Sequence, residues 1–216
     1  MTRAAGPIVV VNPNSNEAVT EGLRAALAPF AAASPIECLT LAEGPFGVES
    51  QLDSDSVVLP LAALVRSRAD AAAFVIACYS DPGLDACRSV ASVPVFGIQE
   101  AGVMTAMARA DRFGVIAIRD ASILRHRRAM RRMGALDRLA GERALDLSVA
   151  DSAGPAAFAR LVEVGTALKG DGAEALILGC AGMARHRAGL EAALGVPVID
   201  PTQAAVAMAL GAVLAG

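Results

Sequence analysis

The sequence predicts an α/β fold made of two pseudo-symmetric parallel-sheet α/β domains, with the active site in the cleft between them. Short runs rich in Val and Ile alternate along the 216 residues with helical stretches, a pattern typical of parallel sheets covered on both faces. The second half repeats the first. FVIACYSDPG corresponds to ALILGCAGMA, and VPVFGIQEAG corresponds to VPVIDPTQAA at nearly the same offset. Repetition at one spacing indicates two similar halves.

The first half contains four strand-and-helix units in order. Strands are predicted at 8–12, 36–41, 72–79 and 93–98, where short apolar runs end in turn residues. Helices are predicted from an N-cap at Asn14 or Ser15 to near Pro29, at 55–69, in a short segment that follows residue 79, and at 100–110. Pro60 falls inside the second of these helices, where proline is unfavourable.

The second half contains the same alternation. Strands are predicted at 112–118, 144–150, 173–180 and 196–200, and helices at 121–134, 155–170, 183–195 and 202–215. We expect the first domain to comprise residues 1–98 plus 203–216, closed by the C-terminal helix and containing Cys78. The second domain would comprise residues 99–202 and contain Cys180.

Hydropathy and charge exclude several classes of protein. Mean hydropathy is +0.50, but the longest apolar runs, 71–79 and 204–216, are shorter than the roughly 20 residues of a membrane span. The N-terminal apolar run is too short for a signal peptide, so we expect a cytoplasmic protein without membrane association. A net charge of −3 argues against nucleic-acid binding. One basic cluster, 119–138, is expected to be a solvated or subunit-contacting helix, with an RNA or phosphate surface as the alternative.

Four cysteines are expected to be free thiols, because they show no CxxC spacing for zinc and no export signal that would favour disulfides. Cys38 lies inside a predicted strand and Cys87 inside the short helix, positions that favour packing. Cys78 and Cys180 lie at the ends of corresponding strands. Ligands of open α/β sheets bind beyond the carboxyl ends of the strands. Two facing halves would therefore bring both thiols to one cleft.

Two acid/base groups on opposite faces of one carbon are what stereoinversion requires. Thiols suit this task because a helix N-terminus lowers the pKa of a cysteine, and a turn follows each of the two strand-end cysteines. The N–H groups of those turns are placed to hold an anionic oxygen. This chemistry needs no metal, nicotinamide or pyridoxal, so no cofactor is expected.

Other polar residues near these positions have simpler expected roles. Asp81 is expected to cap the short helix that follows Cys78, because a carboxylate beside the thiol would raise its pKa. His126 and His186 lie in Arg-containing helical segments and are predicted to be surface residues. Asn12, between a strand and Pro13, is either a turn residue or a substrate-binding amide.

Five segments together resemble a known family: VNPNSNEAVTEGL, IACYSDPGLDACR, VFGIQEA, ILGCAGMA and LGVPVIDP. In this order they are similar to the hydantoin and allantoin racemase branch of the Asp/Glu racemase superfamily, from Ile8 to near the C-terminus. The resemblance implies a cofactor-independent, two-thiol racemase that forms a homo-oligomer, with Cys78 and Cys180 as the two bases. It further implies that the substrate pocket is lined by Asn12, Ser15, Tyr79, Ala181, Gly182 and Met183.

One departure from the family pattern bears on the substrate. Ala117 and Ile118 stand where relatives often carry a Thr pair, which makes that wall apolar. A hydantoin with a bulky apolar or aromatic 5-substituent fits such a wall better than allantoin. An aspartate or glutamate racemase, a maleate isomerase, an arylmalonate decarboxylase-like enzyme and a small-molecule binding protein on the same scaffold remain as alternatives.

Overall fold

Eight parallel strands form two four-stranded sheets in the computed structural model, which describes residues 6–152, 154 and 156–215. The first sheet contains β1 (Ile8–Asn12), β2 (Ile36–Thr40), β3 (Ala73–Ile76) and β4 (Val95–Gly97). The second contains β5 (Phe113–Ala117), β6 (Leu139–Ala144), β7 (Ala175–Gly179) and β8 (Val198–Ile199). Residues 1–5 and Gly216 of the expected first domain, and Pro155 at the start of an expected helix, lie outside the described residues.

The two sheets have the same strand order. It is β2-β1-β3-β4 in the first and β6-β5-β7-β8 in the second, and every pairing is parallel. Strands β3 and β7, which precede Cys78 and Cys180, therefore hold equivalent places. This confirms the predicted fold class and its two pseudo-symmetric halves. The bounds of the two expected domains remain a prediction.

Helices cover the sheets on both sides. They are α1 (Glu17–Leu27), α2 (Gln51–Ser56), α3 (Val58–Ser67), α4 (Leu84–Val90), α5 (Ile98–Arg109), α6 (Asp120–Arg132), α7 (Val149–Ser152), α8 (Ala157–Gly170), α9 (Arg187–Leu194) and α10 (Pro201–Ala215). Short 3₁₀ turns span Ala28–Phe30, Leu136–Arg138 and Ala181–His186. No helix among the described residues is long and apolar enough to cross a membrane.

One shared core joins the two halves. Every residue of β1, β3, β5 and β7 is buried, which explains their uninterrupted apolar sequences. Inward-facing residues such as Val75 and Ile177 belong to the same hydrophobic cluster as residues of α5 and α10. The small side chains of these two helices allow close packing, and a Cβ on Gly102 would lie 3.0 Å from Pro201. The Ala-rich C-terminal segment is therefore a core helix.

The predicted helix at 55–69 is wrong in its bounds, because the chain forms two helices there, α2 and α3. Ser50 and Asp53 form a capping box that starts α2. The break at Val57 places Pro60 in the first turn of α3, where a backbone N–H has no helical partner to lose. The proline is therefore compatible with this helix. The N-cap of α1 is Asn16, not Asn14 or Ser15.

The strand predicted at 144–150 is also misplaced. The strand is β6, Leu139–Ala144, at the edge of the second sheet, and the apolar run after it forms a loop and α7. Its sequence, LAGERA, lacks an apolar pattern because five of its six residues are half-buried or exposed at the sheet edge. The one buried residue, Glu142, is hydrogen-bonded to a side chain of another element. A buried polar contact of this kind cannot be identified from periodicity alone.

Candidate active site

The carboxyl ends of β3 and β7 meet at one small cavity. Cys78 follows β3 and Cys180 follows β7, and both thiols line this cavity, whose volume is about 30 Å³. Tyr79 and Ala181, each next to one of the cysteines, also line it. The structure thus brings together four of the residues that the sequence suggested for the site. Cys38 and Cys87 are buried in β2 and α4, as expected for packing residues.

Asn12 lies behind the cavity wall rather than in it. Its amide donates to the Asn14 Oδ1 atom at 3.0 Å, to the Thr20 hydroxyl at 3.0 Å and to the Asn16 carbonyl at 3.2 Å. Its own Oδ1 atom accepts from the Asn14 N–H at 3.2 Å. The Asn12 side chain is therefore used within the protein, and it fixes Asn14, which does line the cavity.

Three more of the expected pocket residues contribute without lining the cavity. The N–H of Ser15 donates to the Pro45 carbonyl at 2.9 Å, which holds the loop after β2 against the start of α1. Gly182 donates its N–H to the sulfur of Cys180. Met183 is buried in the hydrophobic cluster that also contains Ile118 and Cys180.

Burial dominates the acidity of both thiols. It raises the pKa of Cys78 to about 12, against smaller lowering effects of the Ser80 hydroxyl at 3.4 Å and the Arg125 charge. Burial also raises the pKa of Cys180, opposed by hydrogen bonds from Gly182 N–H and the Ser152 hydroxyl. The expectation that the turns lower these pKa values below their ordinary level is wrong, because desolvation outweighs the hydrogen bonds.

His126 is buried in the cavity wall, not on the surface as predicted. It is 1% exposed, and its Nδ1 atom lies 2.6 Å from the Glu142 Oε1 atom, which is also buried. The ring of Tyr79 packs edge-on against the imidazole, with centroids 5.0 Å apart. The sequence pattern did not reveal the burial of His126, because α6 also carries five arginines. The available signal was its spacing of four residues from Ser122, which also lines the cavity and lies on the same face of the helix.

His186 is buried as well, so its prediction as a surface residue is also wrong. Its Nε2 atom lies 3.2 Å from the Ser152 carbonyl, and its ring packs on Phe158 with centroids 6.1 Å apart. Ser152 in turn donates its hydroxyl to Cys180. His186 therefore supports the element behind the second thiol, and it does not line the cavity.

Asp81 caps a different helix from the one expected. Its carboxylate accepts from the N–H groups of Gln99 at 2.8 Å and Glu100 at 2.9 Å, at the start of α5. The N-cap residue of the short helix α4 is Gly83, and no side chain caps this helix. Burial raises the pKa of Asp81 to about 7, although both hydrogen bonds lower it. The loop after Cys78 is thereby tied to α5.

A wider groove of about 860 Å³ adjoins the cavity. Ser80 and Arg125 line both spaces, so they form the boundary between them. The predicted basic cluster forms one wall of the groove through Arg128, Arg131 and Arg132 of α6. The opposite side carries the acidic residues Asp55, Asp81, Asp85 and Glu100. Charge in the groove is therefore mixed, and the basic cluster does not form a surface of one sign.

A metal site is not evident in the part of the chain that the structure describes, where no three His, Cys, Asp or Glu residues group closely enough to hold an ion. All four cysteines are free. The chemically active side chains at the cavity are thus the two thiols, His126 and Arg125.

Two equivalent α/β halves that each carry a thiol to one shared cavity place the protein in the class of α/β racemases. The family model for Asp/Glu/Hydantoin racemase matches residues 8–209. Curated hydantoin racemases are similar over most of their length: that of Rhizobium meliloti is 38% identical over 208 residues, 94% of this chain and 86% of the relative. That of Paenarthrobacter aurescens is 35% identical over 217 residues, 97% of this chain and 92% of the relative. The chain belongs to the Asp/Glu/Hydantoin racemase family.

Solved structures agree with this assignment. The allantoin racemase from Klebsiella pneumoniae superposes with a TM-score of 0.92 at 32% identity, over 98% of this chain and 89% of that one. A glutamate racemase from Francisella tularensis shares the fold with a TM-score of 0.73 at 20% identity, over 97% of this chain and 81% of that one. The resemblance stated from the sequence is confirmed, and the protein is an isomerase of the racemase type.

Proposed function

We propose that the protein racemises 5-substituted hydantoins by proton transfer between two cysteines and C5 of the substrate. The observation that carries this proposal is the position of Cys78 and Cys180, which follow equivalent strands and line the same cavity. Two thiols supplied by opposite halves of the protein fit a reaction in which one face of a carbon loses a proton and the other gains one.

The proposed reaction starts with one cysteine as thiolate and the other as thiol. The thiolate takes the C5 proton, the electron pair moves toward the C4 carbonyl oxygen, and the opposite thiol delivers its proton to the other face. The enantiomer then formed is attacked first by the other cysteine. A raised pKa makes each thiolate a stronger base toward the C5 proton. It also keeps the free thiol protonated at neutral pH, so the reaction must start by removing a proton from one cysteine.

The expected pocket residues divide into two groups in this proposal. Tyr79 and Ala181 contact the substrate, together with Asn14, whose amide the sequence analysis had assigned to a helix cap. The remaining expected residues, Asn12, Ser15, Gly182 and Met183, hold the pocket from behind.

Apolar side chains support a hydantoin with an apolar or aromatic 5-substituent. Val19, Val48 and Ile118 line the cavity, and Ile118 occupies one position of the missing Thr pair. A volume of about 30 Å³ holds roughly two water molecules, so the walls must separate to admit a hydantoin ring. The adjoining groove of about 860 Å³ offers space for the substituent.

Allantoin is the second candidate substrate, because the Klebsiella pneumoniae allantoin racemase is 32% identical and polar groups of Asn14, Ser122 and Arg125 reach the cavity. A free amino acid is less compatible with the site. Its ammonium group calls for a carboxylate, and none of the described residues that line the cavity is Asp or Glu. Aspartate and glutamate therefore serve as comparison substrates.

We also propose that the protein acts as a homo-oligomer in the cytoplasm. Leu52 and Leu59 are 78% and 79% exposed on α2 and α3, and Leu124 is 62% exposed on α6. Exposed large apolar side chains on helices are common at contacts between subunits. Light scattering after size exclusion is expected to give a multiple of the 21.9 kDa chain mass, and a monomer mass would contradict the proposal.

The experiment that tests the function follows the C5 proton of one enantiomer of 5-benzylhydantoin in D₂O by NMR, with optical rotation measured in parallel. Wild-type protein should remove the proton signal and the rotation together. Cys78→Ser and Cys180→Ser should each lower racemisation at least about a hundredfold. Cys87→Ala, which alters a buried thiol outside the cavity, should racemise as wild type does.

The same assay with allantoin, aspartate and glutamate identifies the preferred substrate. Preference for 5-benzylhydantoin is expected. Faster turnover of allantoin would favour the second candidate. If the wild type is active and the Cys78→Ser and Cys180→Ser variants racemise the substrate at the wild-type rate, the two-cysteine mechanism is rejected.

A further inference from the structure

His126 and Glu142 form a buried pair beside the thiols. The His126 Nδ1 atom lies 2.6 Å from the Glu142 Oε1 atom, and the two residues are 1% and 7% exposed. Tyr79 packs its ring at 87° to the imidazole plane, and Gln99 of α5 donates its amide N–H to the His126 carbonyl at 3.0 Å. The ring is therefore held in one orientation.

This orientation determines which nitrogen is left for chemistry. A neutral His126 whose Nδ1–H donates to the Glu142 carboxylate carries its lone pair on Nε2. His126 lines the same cavity as Cys78 and Cys180. The carboxylate would stabilise the imidazolium that forms when Nε2 accepts a proton, as the carboxylates of catalytic triads do.

A two-thiol reaction in this cavity needs a proton acceptor. Burial raises the pKa of the Cys78 thiol, so its thiolate forms near neutral pH only if a neighbouring group takes the proton. The Arg125 guanidinium has donors and no acceptor atom, and burial raises the pKa of Tyr79 well above its ordinary value. Of the described residues that line the cavity, His126 is the one imidazole, the side chain that most often serves as a general base.

We propose that His126 is a further catalytic residue that accepts the Cys78 proton, with Glu142 as its positioning residue. The proton moves from Sγ of Cys78 to Nε2 of His126 and leaves a thiolate–imidazolium pair. It returns to Sγ when Cys78 next acts as an acid, so no other reactant is needed. This inference rests on the role of Cys78 as a base in the proposed function, and it makes Cys78 the resting thiolate.

The charged and titratable groups around His126 are compatible with the pair. Glu142 of β6 faces one ring nitrogen, and Tyr79 of the loop after β3 faces the ring. Arg125 of the same helix supplies a positive charge that lowers the pKa of Cys78. The Arg127 Nε atom lies 3.8 Å from the Glu142 Oε2 atom. The Cys78 thiolate therefore has Arg125 near it, and the Glu142 carboxylate has Arg127 near it.

The test measures alkylation of Cys78 by iodoacetamide as a function of pH, with the modified peptide quantified by mass spectrometry. At pH values far below the pKa of a thiol, its alkylation rate rises about tenfold with each unit of increasing pH, because only the thiolate attacks. In the wild type we expect the rate to level off near neutral pH instead. His126→Asn should restore the tenfold rise and slow alkylation at pH 7 at least about a hundredfold.

Glu142→Gln keeps the shape of the pair and removes the charge that supports the imidazolium, so the level rate should fall about tenfold. This variant also decides the question if His126→Asn does not fold. His186→Asn is the matched control, because His186 is the other buried histidine and does not line the cavity. Its Cys78 profile should match that of the wild type.

Identical Cys78 profiles in wild type and a folded His126→Asn or Glu142→Gln variant would overturn the proposal. Equal slowing of Cys180 would also overturn it, because a general change in access would then explain the effect. The assay contains no hydantoin. If the alkylation rate of Cys78 levels off but hydantoins are not turned over, the proposed substrate is rejected and the role of His126 stands. If hydantoins are turned over but the alkylation rate does not level off, the role of His126 is rejected and the proposed substrate stands.

Discussion

The carboxyl group of Asp81 fills the space beside Gly97 that a side chain at that position would occupy. A Cβ atom on Gly97 would lie 2.2 Å from the Asp81 Cγ atom. From this place the carboxylate accepts from two N–H groups at the start of α5. In the second half, Asp200 performs the same task for α10 and accepts from the N–H groups of Thr202 and Gln203. In the first half, the cap of α5 therefore comes from the loop that follows Cys78.

Gly97→Ala should destabilise the protein by about 2–4 kcal/mol, because the new methyl group displaces the cap and overpacks the junction. Urea unfolding measures the change. Gly22→Ala is the matched control, since nothing lies within 4 Å of its Cβ position on α1. It should stabilise the protein by about 0.5–1 kcal/mol. Equal effects at the two positions would contradict the packing argument.

Asp81 should make the protein less stable as the pH rises from about 4 to about 7. Burial raises its folded pKa to about 7, whereas an unfolded aspartate releases its proton near 4. The folded state therefore binds more protons in this window, and its advantage is complete below about pH 4. The difference is at most on the order of 4 kcal/mol.

Asp81→Asn should remove most of this pH dependence of the free energy of unfolding. Asp200, whose pKa burial also raises, remains in both proteins and sets the residual slope. Urea titrations of wild type and variant at pH values from about 4 to 8 measure the two slopes. Parallel slopes would mean that Asp81 does not titrate in this range.

Ser152→Ala should slow alkylation of Cys180 several-fold at about pH 8. The Ser152 hydroxyl donates to the Cys180 sulfur and lowers its pKa, so its loss raises the pKa further. Ser80→Ala is the matched control, because the hydroxyl that it removes lies 3.4 Å from the sulfur of Cys78, and the Cys180 rate should stay at the wild-type level. Peptide mass spectrometry separates the two sites. Slowing of both cysteines by either variant would argue for a change in access rather than in acidity.

Sequence reasoning was sufficient for the repeated fold, because apolar strands and the spacing of the two strand-end cysteines are local signals. It placed β6 wrongly because Glu142 is buried by His126, a residue 16 positions earlier on another element. It treated His126 as a surface residue for the same reason. Contacts of this kind depend on tertiary packing, which neither periodicity nor charge clustering encodes.

Asn12 is a second residue whose role depends on tertiary contacts that the sequence does not show. The sequence marked it as a turn residue or a pocket amide, and both descriptions are incomplete. Its amide instead joins Asn14, Asn16 and Thr20 in one buried network. Only the three-dimensional structure reveals that Asn14, two residues later, is the amide at the cavity.

The most direct test of the account is the exchange of the C5 proton for deuterium, measured by NMR on each pure enantiomer of 5-benzylhydantoin with wild type, Cys78→Ser and Cys180→Ser. Two thiols on opposite faces predict that both variants lose racemisation. Any exchange that survives in one variant should be confined to one enantiomer, and the other variant should favour the opposite one. Racemisation at the wild-type rate in either variant would contradict the central claim.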